Sequence, residues 1–456
     1  MLPDRGTARD DVLARSCARH DHVQSRASWG EALEVHSQAR LDEIAHVLIG
    51  VTSDPPLRGR LDRAASKPGP EWWQDLVEEA IRHRVGYHLL QSVAEGGASP
   101  PPQRVGIRLE QHVAEVNGWL DLRLAEIRRV LAHLGAIGLS DCVVLKGPSL
   151  CALYPSPYFH PIADLDLLAP SDRADLLLRG LADLGYRPRM MRYPEETWDE
   201  AMPAEVRRRL SEPRDLPAFM REEGGVTYSV DVKTPRHHME FRPLILDDML
   251  QRAEPDEVCG IALRRLCWSD ALLWMAAHAW WHHLHRELWI EQLAAMGRLV
   301  RTKMTPQRWE QAATTIESYA REQQRLWPAT DDVARAYAAR QGVPASWPAL
   351  IWEDVRAQVH LALDLVRRIY GTPVPESMLA ATRPAEPRLL DASGDGGGFP
   401  TYRFYLWRTD RQRRLFGLQW LPLNDLIGRG LLAEWFSLPH TFAVRLGPER
   451  PLSEFA

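Results

Sequence analysis

The sequence predicts an α+β chain in which a small β region is set between extensive α-helical regions. Three observations predict it. Apolar positions recur three and four apart over most of residues 28–134 and again from 246 to about 370. Between these regions lie two short apolar runs of strand length, Cys142–Leu145 and Ile162–Leu168. A later run, "VTYSVDVKT" (226–234), alternates apolar and polar residues as a half-buried strand does.

Composition bounds what such a chain can be. Its 456 residues suffice for about three domains of ordinary size. Apolar residues make up 45% and charged residues 26%, which suits a chain that buries one or more cores. The net charge of -5 argues against a surface that coats nucleic acid. The five cysteines form no C-x-x-C pair, as expected of reduced thiols. The N-terminus is charged and lacks the apolar core of a secretory signal. "ALLWMAAHAWW" is far shorter than the ~20 residues a membrane span needs. The expectation is a cytoplasmic protein with no membrane partner.

The elements follow in order. Residues 1–27 read as a flexible polar tail. Helical periodicity fills 28–134, broken at Gly96-Gly97 and "ASPPPQ", and glycines close the last long helix. The core spans 135–245. In it "CVVL" is a short strand and "GPSLCALY" a helix, with Pro148 in the first turn, where a missing N–H costs nothing. "IADLDLL" is a second strand, "SDRADLLLRGLADLGY" a helix with Ser171 as cap, and "YRPRMMRY" a further strand. Gly224-Gly225 turns the chain into "VTYSVDVKT". A second helical region fills 246–375. A Pro/Gly-rich linker or loop follows at 376–400, and 401–456 is a C-terminal segment packing on the core.

The informative residues are acidic. Side chains at i and i+2 of a strand share a face, so Asp164 and Asp166 project together while Leu165 and Leu167 enter the core. In "SVDVK", Asp231 projects with Ser229 and Lys233, opposite Val230 and Val232. If the two strands are neighbours, three carboxylates converge. Like charges so placed force a proton onto one of them unless a cation compensates. Mg²⁺ takes oxygen ligands and keeps positions open for phosphate oxygens. Two such ions (Mn²⁺ being a substitute) can hold the attacking and leaving oxygens of a phosphoryl displacement. Upstream, Lys146-Gly147-Pro148-Ser149 joins a strand to a helix. Gly147 permits close backbone approach and Lys146 offers charge to a triphosphate.

This order resembles the nucleotidyltransferase fold of the polymerase-beta-like superfamily: a glycine-serine turn, then D-x-D, then a third Asp. The closer resemblance is to its branch of uncharacterised nucleotidyltransferases, whose pattern "LLKG..L...LYP.....R...DiDLLv" is similar to "VLKGPSLCALYPSPYFHPIADLDLLAP". "AIRHRVGYHLLQ" upstream, "DVKTPRHH" and "DALLWMAAHAWWHH" downstream, and "LPHTFAVRLGPERPL" near the end resemble it too, so the likeness covers about 70–300 plus the tail. The resemblance implies a small mixed sheet as nucleotidyltransferase core. It implies an NTP substrate and catalysis by Asp164, Asp166 and Asp231 as metal ligands. Lys146, Gly147, Pro148, Ser149, His160 and Lys233 would line the nucleotide phosphates. Three positions depart from the family pattern: His160 stands for the arginine before D-x-D, Lys233 for a His, and Gln292 for an Asp.

Other features are weighed against plainer readings. His278, His282 and His285 share a helix face. Zinc is one reading. The lack of cysteine or acidic partners apart from Glu287 favours packing on the core, with His278 and His282 behind the site. Trp274 and its neighbours read as core rather than a base-stacking platform. The arginines of Arg403–Phe416 read as a solvated helix face rather than a nucleic-acid groove, because Asp410 interrupts them. "HRVGYH" (83–88) reads as helix packing.

The expected activity is transfer of a nucleoside monophosphate to a hydroxyl or phosphate acceptor, a peptide or small molecule before a nucleic acid. Transfer of a sugar or other group from a nucleotide donor uses the same carboxylates. A degenerate nucleotide-binding scaffold is the third reading.

Overall fold

The computed structural model describes residues 38–53, 69–95, 100–189, 218–235, 246–278, 290–326 and 355–383. The expectations for the 1–27 tail, for 401–456 with Arg403–Phe416, and for His282 and His285 lie outside these residues.

Helices lead: α1 (Gln38–Thr52), α2 (Pro70–Arg82), α3 (Gly86–Ala94) and α4 (Gln103–Ala136). In α2, Pro70 starts the helix with its φ already set, and Glu71 and Arg82 complement the helix dipole at either end. Helix α4 runs for 34 residues and buries a stripe of Leu120, Leu124, Ile127, Val130 and Leu134. Gly138, at φ 88, turns the chain out of it.

Strand and helix then alternate through the core: β1 (Val143–Val144), α5 (Pro148–Cys151), a 3-10 turn (Pro157–Phe159), β2 (Leu165–Leu168), a second 3-10 turn (Ser171–Arg173), α6 (Ala174–Asp183), β3 (Arg187–Arg189), β4 (Ala218–Glu223) and β5 (Val226–Lys233). After α7 (Leu246–Arg252) comes a hairpin, β6 (Glu254–Val258) and β7 (Ile261–Arg265). The chain continues with α8 (Trp268–His278), α9 (Ile290–Lys303), α10 (Pro306–Leu326), α11 (Val355–Tyr370) and α12 (Glu376–Thr382).

The strands form a seven-stranded mixed sheet in the order β3-β4-β5-β2-β1-β7-β6. β2 runs parallel to β5 and β1 parallel to β7, and the remaining pairs are antiparallel. Helices cover both faces, so the central strands are apolar on both sides. Val144, Leu165, Leu167, Val230 and Val232 pack against α4 and α6. Val143, Leu145 and Leu168 point the other way, into the larger core built with Leu272, Trp274 and Leu299. Trp274 is core, as read from the sequence. The expected α+β class and small mixed sheet are present. No helix among the described residues is long and apolar enough to cross a membrane.

Four local expectations differ from the structure. The strand carrying D-x-D begins at Leu165, so Asp164 stands just before it. Ser171 does not cap α6: a 3-10 turn begins at Ser171 itself, and the position preceding α6 is Arg173. Residues 254–265, read as part of a helical region, form the β6–β7 hairpin that extends the sheet. The alternation there is weak because β6 sits at the sheet edge with only Val258 buried. The start of the expected 376–400 linker is helix α12, whose Met378 and Leu379 are buried.

Candidate active site

The register of β2 against β5 builds the site. Asp166 stands opposite Asp231 in this parallel pair, with Leu165 and Leu167 opposite Val230 and Val232. Strand alternation therefore sends the apolar residues to the α4 layer and the two carboxylates to the other face. Asp164 joins them from the loop. One oxygen from each of Asp164, Asp166 and Asp231 lies within 4.8 Å of the others.

The glycine turn closes against this cluster. Leu145 donates its N–H to the Asp166 carbonyl at 3.0 Å, which ties the end of β1 to the D-x-D segment. Gly147 has φ 63, in the left-handed region. A Cβ there would stand 3.2 Å from Ile162 Cγ2 and 3.3 Å from the Asp164 carbonyl oxygen. Glycine is thus required twice, by conformation and by space. Pro148 opens α5, and Ser149 is buried beneath the turn. The turn and the carboxylate loop are in direct contact.

Lys146 occupies the charge centre. Its Nζ lies 3.2 Å from Asp166 Oδ2 and 3.6 Å from Asp164 Oδ1. Burial pushes the Lys146 pKa down, but Asp164, Asp166 and Asp231 outweigh it and hold the ammonium above the ordinary lysine range. Burial and then Asp164 push the Asp166 carboxyl well above the ordinary range, against the pull of Lys146. Lys233 also pulls it down, so this buried lysine faces the same cluster.

Two like charges ~4 Å apart repel by about 4 kcal/mol at an effective dielectric of ~20. Lys146 and Lys233 offset part of this repulsion, yet burial and Asp164 still hold the Asp166 carboxyl well above its ordinary range. Asp166 Oδ2 is shielded and accepts no well-directed hydrogen bond; its contact is the ion pair with Lys146. A carboxylate oxygen so placed, grouped with two more, fits a hard divalent cation such as Mg²⁺ or Mn²⁺.

His160 lies in a neighbouring buried cluster. Its Nδ1 is 2.5 Å from Glu291 Oε1, and its ring stacks on Tyr154. The acidic residue that α9 offers this region is therefore Glu291, one position before Gln292. His83 and His88 are buried, as the packing reading expects, and His88 packs edge-on to Tyr154 and Phe159. Burial lowers the His88 pKa to about 3, so it is neutral. His278 is the last residue of α8 and is half-buried.

Sequence reading misses Arg123. It stands on α4, and its Nη1 donates to the Ile162 carbonyl at 3.0 Å. Its guanidinium lies over the Trp119 ring, 5.6 Å from the centroid, and within electrostatic reach of Asp164 and Arg84. Its Nε is buried without a hydrogen-bond partner. Arg123 thus buttresses the loop that carries Asp164, and Ile162 of that loop in turn faces Gly147.

A mixed sheet that brings D-x-D and a third Asp together beneath a glycine turn is consistent with a nucleotidyltransferase core. The chain belongs to the family of uncharacterised nucleotidyltransferases, whose model matches residues 69–325. No curated protein and no solved structure matches the chain.

Proposed function

We propose that the protein moves a nucleoside monophosphate from a nucleoside triphosphate to a hydroxyl or phosphate acceptor and releases pyrophosphate. Family membership supports nucleotidyl transfer in general. One observation carries the finer reading: three carboxylate oxygens within 4.8 Å of one another, beside a glycine turn and a lysine.

Asp164, Asp166 and Asp231 would hold the divalent cations. When bound, Mg²⁺ or Mn²⁺ supplies Lewis acidity at phosphate oxygens and lowers the pKa of an acceptor hydroxyl. The protein's own groups do the rest. Gly147 to Ser149 shape the wall on the phosphate side, where no Cβ intrudes. Lys146 and Lys233 offer positive charge to the triphosphate, and Arg123 holds the Asp164 loop in register with the turn. Positioning and charge neutralisation supply most of the acceleration. The net charge of -5 disfavours a long nucleic-acid acceptor and favours a peptide or small molecule.

The test is product mass. The full chain is incubated with each NTP, Mg²⁺ or Mn²⁺ and a pool of acceptors, and products are weighed while pyrophosphate is assayed. A nucleotidyl increment on an acceptor is expected, absent from the Asp164→Asn/Asp166→Asn variant. Equal pyrophosphate release by that variant, or transfer of the sugar alone with the nucleotide freed, would remove this reading.

A further inference from the structure

Helix α9 meets the segment that joins the glycine turn to D-x-D, and it does so twice. In its first turn Glu291 is 3% exposed, and its Oε1 lies 2.5 Å from His160 Nδ1. Two turns further on, Arg298 donates from Nε to the Leu153 carbonyl, and its guanidinium lies over the Tyr154 ring, 5.1 Å from the centroid. Residues seven apart share one face of a helix. That face therefore grips both ends of the stretch from Leu153 to His160. Between the grips, Tyr154 stacks on Phe159 at 5.9 Å and on His160 at 6.1 Å, so the stretch is itself packed. The helix is bedded in turn, with Leu293, Met296 and Val300 in the larger core.

A second, independent observation lies just downstream. Pro161 follows His160 and fixes one backbone angle of the loop. The Ile162 carbonyl then accepts Arg123 Nη1 at 3.0 Å, and the Ile162 side chain faces Gly147. Asp164 comes two residues later, and β2 begins at Leu165. The loop is thus pinned at His160, strapped at Ile162 and carried into the sheet at Leu165. Asp166 and Asp231 are placed by strand register, whereas Asp164 is placed by these pins.

We propose that Glu291, acting through His160, is a positioning residue of the proposed nucleotidyl transfer: it sets where Asp164 stands and so how tightly the carboxylate cluster holds a divalent cation. The inference rests on that reading of the cluster. It gives His160 a task other than lining phosphates, because its Nδ1 is turned to Glu291. Partners that hold a metal ligand in place from behind govern affinity without touching the ion. Arg298 supports the same segment from the next grip along α9.

The experiment measures Mn²⁺ binding to the full chain by calorimetry, without nucleotide or acceptor. Glu291→Gln should weaken Mn²⁺ about tenfold, the lower end of the range for losing such a partner. His160→Gln should weaken it as much. The two changes combined should cost no more than either alone, because the pair acts as one unit. His160→Arg keeps a donor opposite Glu291 and should recover most of the affinity. Arg252→Met breaks another ion pair to a buried carboxylate, 2.9 Å from Asp270 in the helical region. It controls for lost stability and should bind Mn²⁺ as wild type does. Wild-type affinity in Glu291→Gln, additive losses in the combined variant, or an equal loss in Arg252→Met overturns the proposal, while Mn²⁺ binding by the wild-type chain leaves the carboxylate reading standing. A wild-type chain that binds no Mn²⁺ overturns both.

Discussion

His160 and Glu291 form a buried pair, with Nδ1 and Oε1 2.5 Å apart, that fastens the loop before D-x-D to helix α9. Burial alone raises the Glu291 pKa, but His160 and then Arg84 outweigh it and hold it below the ordinary value. A depressed carboxylate contributes stability that is complete above its unfolded pKa and lost as pH falls through the folded one. Glu291→Gln should therefore destabilise the fold at pH 7 by about 1–3 kcal/mol, the cost of leaving a buried polar partner unsatisfied. The wild-type chain should also lose this increment as pH falls below about 4.5, while the variant shows no such limb. Urea denaturation of both chains at several pH values checks this. Equal stability at pH 7 would show that the pair contributes nothing.

The carboxylate cluster makes a different prediction for stability. Asp166 is held above its ordinary pKa, so its charged form costs stability at neutral pH. Asp164→Asn/Asp166→Asn should stay folded and, without metal, change stability by less than about 2 kcal/mol, because relief of the like-charge repulsion is opposed by loss of the Lys146 ion pairs. Added Mg²⁺ should raise the wild-type melting temperature and leave the double variant unmoved. Thermal scans with Mg²⁺ and with a chelator decide it. A double variant that still responds to Mg²⁺ places the metal elsewhere.

Gly147→Ala should fold but lose more than about 1–2 kcal/mol, because φ 63 with ψ -108 is less accessible to an L side chain than the left-handed helical region. The larger effect should fall on function. A Cβ 3.3 Å from the Asp164 carbonyl oxygen pushes the turn off the carboxylate loop. Metal-dependent nucleotide binding, measured calorimetrically, should weaken more than the melting temperature implies. Wild-type affinity would contradict the close approach.

Arg123→Met removes the donor to the Ile162 carbonyl and the cation near Asp164. Nucleotide affinity should fall by about 1.5–3 kcal/mol, the range for a charge-assisted hydrogen bond. Arg123→Lys restores charge without the planar fork and should recover only part of it. If Lys and Met variants bind nucleotide as wild type does, Arg123 is a structural strut alone.

The legible part of the site is the part written by strand alternation. Asp164, Leu165, Asp166 and Leu167 declare their faces before any partner is known, as do Val230, Asp231 and Val232. Lys146 is legible by type, as a cation beside a glycine turn; its contact with the carboxylates comes only from the folding of β1 onto β2. Arg123 is not legible. It stands 39 residues before Ile162 on a long helix, where an arginine looks like any other polar-face residue. Glu291 is missed for a related reason: its partner His160 reaches it across the fold, and helical spacing carries no record of such a meeting. The β6–β7 hairpin is missed because an edge strand buries little and leaves a weak pattern.

β1 contributes two residues to the sheet, and one of its sides is filled by β7, with Val143 beside Arg264. The shortest strand in the middle of the sheet thus waits for a neighbour made more than a hundred residues later. A fragment ending near 245 would hold every acidic ligand candidate yet leave β1 with a bare edge open to other chains. The acidic cluster lies within residues 164–231, but its scaffold is not separable at that boundary. The helices beyond residue 265 belong to the same unit, because Leu272, Trp274 and Leu299 cover the sheet face that Val143, Leu145 and Leu168 present.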